Sequence, residues 1–202
     1  MKLYNAAAPN PRRVRIFLAE KGLEIPMTDV DIMAGGSRTP EFLARNSLGE
    51  CPVLELDNGT CIAESIAICR YLEALHPTPA LFGTTPEEIG RIEMWNRRRE
   101  LKLSDAVGTI ALHTFDFFAD RVKQVPAMAE AGRERSIRLL NWLDGELADG
   151  RPWVAGDDFS VADITGMTAM LLSDFTRVAI PDTATHVARW NAALRARPSW
   201  NA

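Results

Sequence analysis

Residues 49–65 read GECPVLELDNGTCIAES. Pro52 stands ahead of Val53-Leu54-Glu55-Leu56, at the first position of a strand, where the missing proline N–H is tolerated. Asn58-Gly59 is the dipeptide favoured by a two-residue type I′ hairpin, in which both central residues need positive φ. The stretch therefore predicts a strand, a tight turn and a second strand. Glu64-Ser65 follows, and beyond it Ile66, Ile68, Tyr71, Leu72 and Leu75 recur at helical spacing, with Ser65 in the N-cap position. A helix start carries unpaired N–H groups and the positive end of the dipole, so this junction can receive an anion such as a carboxylate.

Working upstream, residues 2–5 predict a strand and 11–21 a helix with Val14, Phe17, Leu18 and Lys21 on one face. Gly22 supplies its C-terminal stop. Asn10 before Pro11 suits an N-cap followed by the preferred first helical residue. Residues 26–32 return as a strand, and 39–45 form a short helix with Thr39 as cap and Pro40 at its first position. The order over residues 1–76 is β-α-β-α-β-β-α. Downstream, HPTPALFGTTP at 76–86 is rich in Pro, Thr and Gly, so residues 77–85 read as a linker. Strand signal then disappears. Helical periodicity marks 86–120, 133–148, 159–177 and 184–195, giving an all-helical second domain over 86–202. Ser160-Val161-Ala162-Asp163 is a capping-box variant, bracketed by Phe159 and Ile164 as a hydrophobic staple requires. It points to folding rather than chemistry.

Composition narrows the function classes. A net charge of -4 gives no electrostatic reason to expect nucleic acid or an anionic membrane as partner. No apolar run approaches the ~20 residues of a membrane helix. The N-terminal residues lack the apolar stretch of a signal peptide, so a cytoplasmic location is expected. Cys51, Cys61 and Cys69 form no C-x-x-C, and His76, His113 and His186 are far apart in sequence, so no metal site is expected.

Three segments, PNPRRVRIFLAEKG (9–22), LGECPVLELDNGTCIAES (48–65) and AGDDFSVADIT (155–165), occur in an order and at a spacing that resemble the cytosolic glutathione S-transferase family. The N-terminal loop is most similar to bacterial nu-like classes. The resemblance spans essentially the whole chain. It implies a thioredoxin-like N-terminal domain followed by an all-α domain, in a homodimer. It also implies glutathione as substrate, activated as a thiolate for attack on an electrophilic small molecule whose identity the sequence does not give. Glutathione-dependent disulfide or peroxide reduction, or glutathione binding without catalysis, are the alternative readings.

The same resemblance suggests roles for individual residues. Cys51, preceding a cis Pro52, would pair its backbone with the cysteinyl unit of glutathione. Glu64 would receive the ligand's ammonium and Ser65 the γ-glutamyl carboxylate, while Arg38 would reach the glycyl carboxylate. The family's thiolate-stabilising hydroxyl falls at Ala8, which has no donor. Asn10 is the candidate in its place and Tyr4 the alternative. A donor is needed because a thiol of ordinary pKa, ~8.5, is only a few per cent ionised at pH 7. Glu50 stands where many relatives carry Lys. Arg97-Arg98-Arg99 reads as a solvated helix face or part of a dimer surface. Phe115, Phe117 and Phe118 read as core, or as lining for the second substrate.

Overall fold

The computed structural model describes residues 1–202, which divide into two compact units, one built on residues 1–81 and the other on residues 82–200. In the first, the elements are β1 (Lys2–Asn5), α1 (Pro9–Lys21), β2 (Met27–Asp29), α2 (Pro40–Leu43), β3 (Val53–Glu55), β4 (Cys61–Ala63) and α3 (Ser65–Leu75). The four strands form one sheet in the order β2-β1-β3-β4. β1 runs parallel to β2 and antiparallel to β3, and β3 is antiparallel to β4, with Leu3 opposite Leu54 and Leu54 opposite Ile62. This is the expected β-α-β-α-β-β-α order.

Side chains alternate across the sheet. Tyr4 and Val53 point to one face, where they form a cluster with Phe42 of α2, flanked by Val30, Cys51 and Cys61. Leu3 and Leu54, fully buried, point to the other. Helix α1 packs against α3, and α3 against β3 and β4. Thr39 caps α2 as expected, its hydroxyl accepting from the Phe42 N–H at 3.3 Å.

Two local expectations are corrected. The turn between β3 and β4 is not type I′. Leu56 O accepts from the Gly59 N–H at 2.9 Å and Thr60 O from the Leu56 N–H at 2.8 Å, and of the central residues only Gly59, at φ 83°, is left-handed. That is a type I turn closed by a glycine bulge, the three-residue alternative open to the same Asn-Gly sequence. Helix α1 begins at Pro9 rather than Pro11, with Ala8 in the cap position, so Asn10 is not a cap. Proline is tolerated throughout the first turn, where no N–H is needed, and the helix extends back over both prolines. Its end matches expectation: Gly22 at φ 63° is left-handed, and the Leu23 N–H bonds Leu18 O at 2.9 Å.

The second unit contains α4 (Pro86–Arg98), α5 (Asp105–Thr114), α6 (Pro126–Glu146), α7 (Val161–Thr176) and α8 (Thr185–Arg195). A π-helical segment, Arg99–Ser104, joins α4 to α5, so the helix expected over 86–120 runs continuously but widens by one residue per turn there. It ends at Thr114. Helix α6 starts ahead of the expected position. Helix α7 is buried along most of its length and packs against α4, α5 and α8. Gly166 is what admits α8: a Cβ there would lie 2.5 Å from the Trp190 ring. No helix is long and apolar enough to cross a membrane.

Arg99 departs from the solvated face expected for the arginine run. It is 1% exposed and lies over the rings of Trp95 and Trp142, which stack at 5.8 Å. Burial lowers its pKa to about 10. Phe115, Phe117 and Phe118 are half-buried rather than core.

Candidate functional site

The β3–β4 register organises the site. Val53 faces Ala63, so the antiparallel continuation brings Cys51-Pro52 alongside Glu64-Ser65. The Cys51-Pro52 peptide is cis. Glu64, and not Ser65, holds the cap position of α3, with φ 64° and ψ 115°. Positive φ is sterically costly for a residue with a Cβ, on the order of 1–3 kcal/mol, and persists where surrounding structure dictates it. Ser65 is then the first helical residue, 4% exposed. The correction moves the hydroxyl from a capping role: its oxygen accepts instead from Nη1 of Arg13 at 2.6 Å.

Arg13 is the residue that the sequence reading passed over. It is 3% exposed, on α1, and joins that helix to the start of α3. A signal was present. Its position, three and four residues before the buried Ile16 and Phe17, sets an arginine on the apolar stripe of an amphipathic helix.

Asn10 lies one turn before Arg13, at the second position of α1. Its side chain is exposed and its amide is not consumed by capping. The main chain there has a distinctive donor pattern. Pro9 and Pro11 carry no N–H, the Ala8 N–H bonds Ala6 O at 2.9 Å, and the first intrahelical bond is Arg12 N–H to Ala8 O at 3.1 Å. The N–H of Asn10 is therefore the one donor left at the positive end of α1. Ala8, without a side chain beyond Cβ, leaves this helix end uncovered.

Arg38 donates from Nη1 to Leu48 O at 2.9 Å, on the loop leading into Cys51-Pro52. Gly49, at φ 62°, accommodates it: a Cβ there would fall 2.8 Å from Nη1. Asn46 steadies the same loop by donating to Glu50 O at 2.8 Å.

Tyr4 and the Cys51 thiol are placed elsewhere. The Tyr4 hydroxyl donates to Oε2 of Glu55 at 2.7 Å, on the sheet face covered by α2. The Cys51 side chain packs against that same cluster, and desolvation raises its pKa to about 11. The strand register and the Arg13–Ser65 bond thus bring Arg13, Cys51, Pro52, Glu64 and Ser65 together, while Asn10 lies one turn before Arg13 on α1 and Arg38 is bonded to the loop that leads into Cys51. No group of three or more His, Cys, Asp or Glu side chains is assembled for a metal ion.

The chain is similar to known proteins over essentially its whole length. Residues 7–75 match the glutathione S-transferase N-terminal domain family and residues 104–198 the C-terminal domain family. Glutathione S-transferase 2 of Saccharomyces cerevisiae is 38% identical over 197 residues, covering 96% of this chain and 84% of that protein. Among solved structures, a glutathione S-transferase domain-containing protein of Marinobacter aquaeolei superposes with a TM-score of 0.93 at 40% identity, covering 99% of this chain and 100% of that one. Gtt2 from Saccharomyces cerevisiae superposes with a TM-score of 0.92 at 37% identity, covering 100% and 99% respectively. With both domain families matched in order and relatives of this identity along its whole length, the chain belongs to the glutathione S-transferase family.

Proposed function

We propose that the protein binds glutathione at the start of α3, holds its thiol as a thiolate at the start of α1, and transfers it to an electrophilic small molecule. The observation that carries this reading is the Glu64-Ser65 junction. A strained Glu64 and a buried Ser65 open a helix beside Cys51-Pro52. The first N–H groups of α3 and the Ser65 hydroxyl suit the γ-glutamyl carboxylate. The exposed Glu64 side chain suits the neighbouring ammonium. The Cys51 backbone pairs with the cysteinyl amide, and Arg38 serves the glycyl carboxylate.

In this reading the sulfur meets the uncovered N-terminus of α1. Lowering a thiol pKa by two units takes ~2.7 kcal/mol of preferential stabilisation of the anion. The helix dipole, the free Asn10 N–H and the Asn10 amide are the donors available for it. Asn10 is thus the proposed catalytic residue, replacing the hydroxyl absent at Ala8. The thiolate attacks the electrophile, forming a carbon–sulfur bond as the leaving group departs or the acceptor bond takes up the electron pair.

Calorimetric titration tests the assignment. Glu64→Ala with Ser65→Ala should weaken glutathione binding at least tenfold, about 1.4 kcal/mol. Unchanged affinity in a folded double variant would remove the reading. We also propose a twofold homodimer, as the family suggests. Sedimentation at micromolar concentration should give about twice the 22.4 kDa chain mass; the mass of a single chain would overturn it.

A further inference from the structure

Arg98, Arg99 and Arg151 crowd round one indole in the helical unit, and the glutathione reading uses none of them. Their guanidinium carbons lie 4.9, 5.4 and 5.1 Å from the centre of the Trp95 ring. Trp142, stacked on Trp95, has Arg98 and Arg99 over it as well, at 5.7 and 5.4 Å. Attraction to a ring face accounts for each arginine singly. It does not account for three together, because like charges this close repel, most of all where water is excluded. Burial first, and then Arg98 and Arg151, hold the Arg99 pKa down, opposed by Asp163 and Glu146. The hydrogen bonding is incomplete too. Arg151 spends Nη1 on Asp149 at 2.5 Å and Nε on Val154 O at 3.1 Å, but its Nη2 is buried without a partner. Nε of the 1% exposed Arg99 is in the same condition. Buried donors left unpaired are rare in folded proteins, and an ion or water is a common reason for them.

Trp95, Met94, Arg98 and Arg151 line a cavity of about 480 Å³ between α4 and the segment that follows α6. We propose that this cavity binds a phosphate or sulfate monoester, its oxyanion held by Arg98 and Nη2 of Arg151 and its organic part lying along Trp95 and Met94. A planar guanidinium matches the oxygens of such a group in pairs. The buried charge of Arg99 adds a positive potential that salt screens weakly. Three carboxylates share the cavity wall. Asp149 is taken up by Arg151, and Asp157 is exposed, where water screens it. Glu146 is half-buried and sets the selectivity: it repels a second anionic group, so the ligand carries its charge at one end. All of these residues belong to the helical unit, and none is among those assigned to glutathione.

The test is calorimetric titration of the full chain with phenyl phosphate, inorganic phosphate and phenol, with and without saturating glutathione. Phenyl phosphate should bind with a Kd below ~1 mM, inorganic phosphate at least about fivefold more weakly, and phenol not measurably. Glutathione should leave these values unchanged. Arg98→Met should weaken phenyl phosphate at least tenfold and leave glutathione affinity as it is. Glu146→Gln should tighten phenyl phosphate about threefold by removing a like charge. No saturable binding of phenyl phosphate, or binding that glutathione displaces, would overturn the site. Equal affinity for phenyl and inorganic phosphate would mean an adventitious ion only, and would overturn it too. So would phenyl phosphate binding that Arg98→Met leaves untouched. Should Arg98→Met fail to fold, Glu146→Gln decides, tighter binding supporting the site and unchanged binding overturning it.

Discussion

The indole N–H of Trp190 donates to Oδ1 of Asp163 at 2.9 Å, joining α8 to the first turn of α7 inside the helical unit. Asp163 is fully buried and accepts three further bonds: from Val154 N–H at 3.0 Å, Ser160 N–H at 3.2 Å and Ser160 Oγ at 3.1 Å. Burial nonetheless raises its pKa above the ordinary carboxylate value. The capping box read from the sequence is thus one part of a junction that also anchors α8 and the loop at Val154. An amide nitrogen cannot accept a bond, so Asp163→Asn leaves at least one buried N–H unpaired. We expect a loss of about 1–3 kcal/mol and a Tm lower by about 3–10 °C, followed by calorimetry. An unchanged Tm would show that the junction carries no stability.

Glu64 offers a separation of stability from binding. Glycine adopts positive φ without a Cβ penalty, so Glu64→Gly should keep or raise the melting temperature. The same change removes the carboxylate proposed for the ligand's ammonium, and glutathione affinity should fall about five- to tenfold, near 1–1.4 kcal/mol. A lower melting temperature with intact binding would reverse both halves of the argument.

At Asn10 the expected variant is Asn10→Asp. A carboxylate in the first turn interacts favourably with the dipole of α1, so stability should be retained or slightly increased. The same charge repels a neighbouring thiolate and lacks an N–H, so the pKa of bound glutathione should rise and turnover at neutral pH should fall. Ultraviolet absorbance during a pH titration of the complex follows the thiolate. If the titration curve does not move, the amide of Asn10 is not at the sulfur.

A pH prediction comes from Glu88 in the first turn of α4. Its Oε2 accepts from the Thr84 N–H at 2.9 Å, the Thr84 hydroxyl at 2.8 Å and the Thr85 N–H at 3.2 Å, and these bonds lower its pKa to about 2. Because the folded value lies below the unfolded value near 4.5, the stabilisation is complete above that pH and is lost as pH falls toward 2. Glu88→Gln should therefore melt below the parent protein at pH 7, and the gap should close on acidification. A constant gap between pH 7 and pH 2.5 would contradict the assignment.

Much of the fold was legible because its signals are local. Gly22 and Thr39 marked helix ends by their own backbone and hydroxyl chemistry, and the β-α-β-α-β-β-α order of elements along the chain was read correctly. The misplacements occurred where two local solutions are close in energy. Asn10-Pro11 offers both a cap and a first-turn proline and Ala8-Pro9 only the proline, yet the helix starts at the second. Asn58-Gly59 suits two hairpin types, and the length of the intervening loop selects the bulged one. Arg13 was missed for another reason. Its partner lies 52 residues away, and no pattern within α1 names Ser65 as the acceptor. Arg99 was misread as solvated because a run of three like charges suggests water on every side, whereas a helix sends consecutive residues in different directions.

The state of the cysteines bears on how such a protein survives its own chemistry. Only a thiolate is a strong nucleophile. With a pKa of about 11, about one Cys51 in ten thousand is ionised at pH 7. Cys69 is pushed up to about 12 and is fully buried, and the Cys61 thiol is raised as well. An electrophile arriving at the protein thus meets thiols held in their unreactive form. The substrate's sulfur and the half-buried Cys51 thiol are then told apart by ionisation, which packing against Tyr4, Phe42 and Val53 holds back at Cys51.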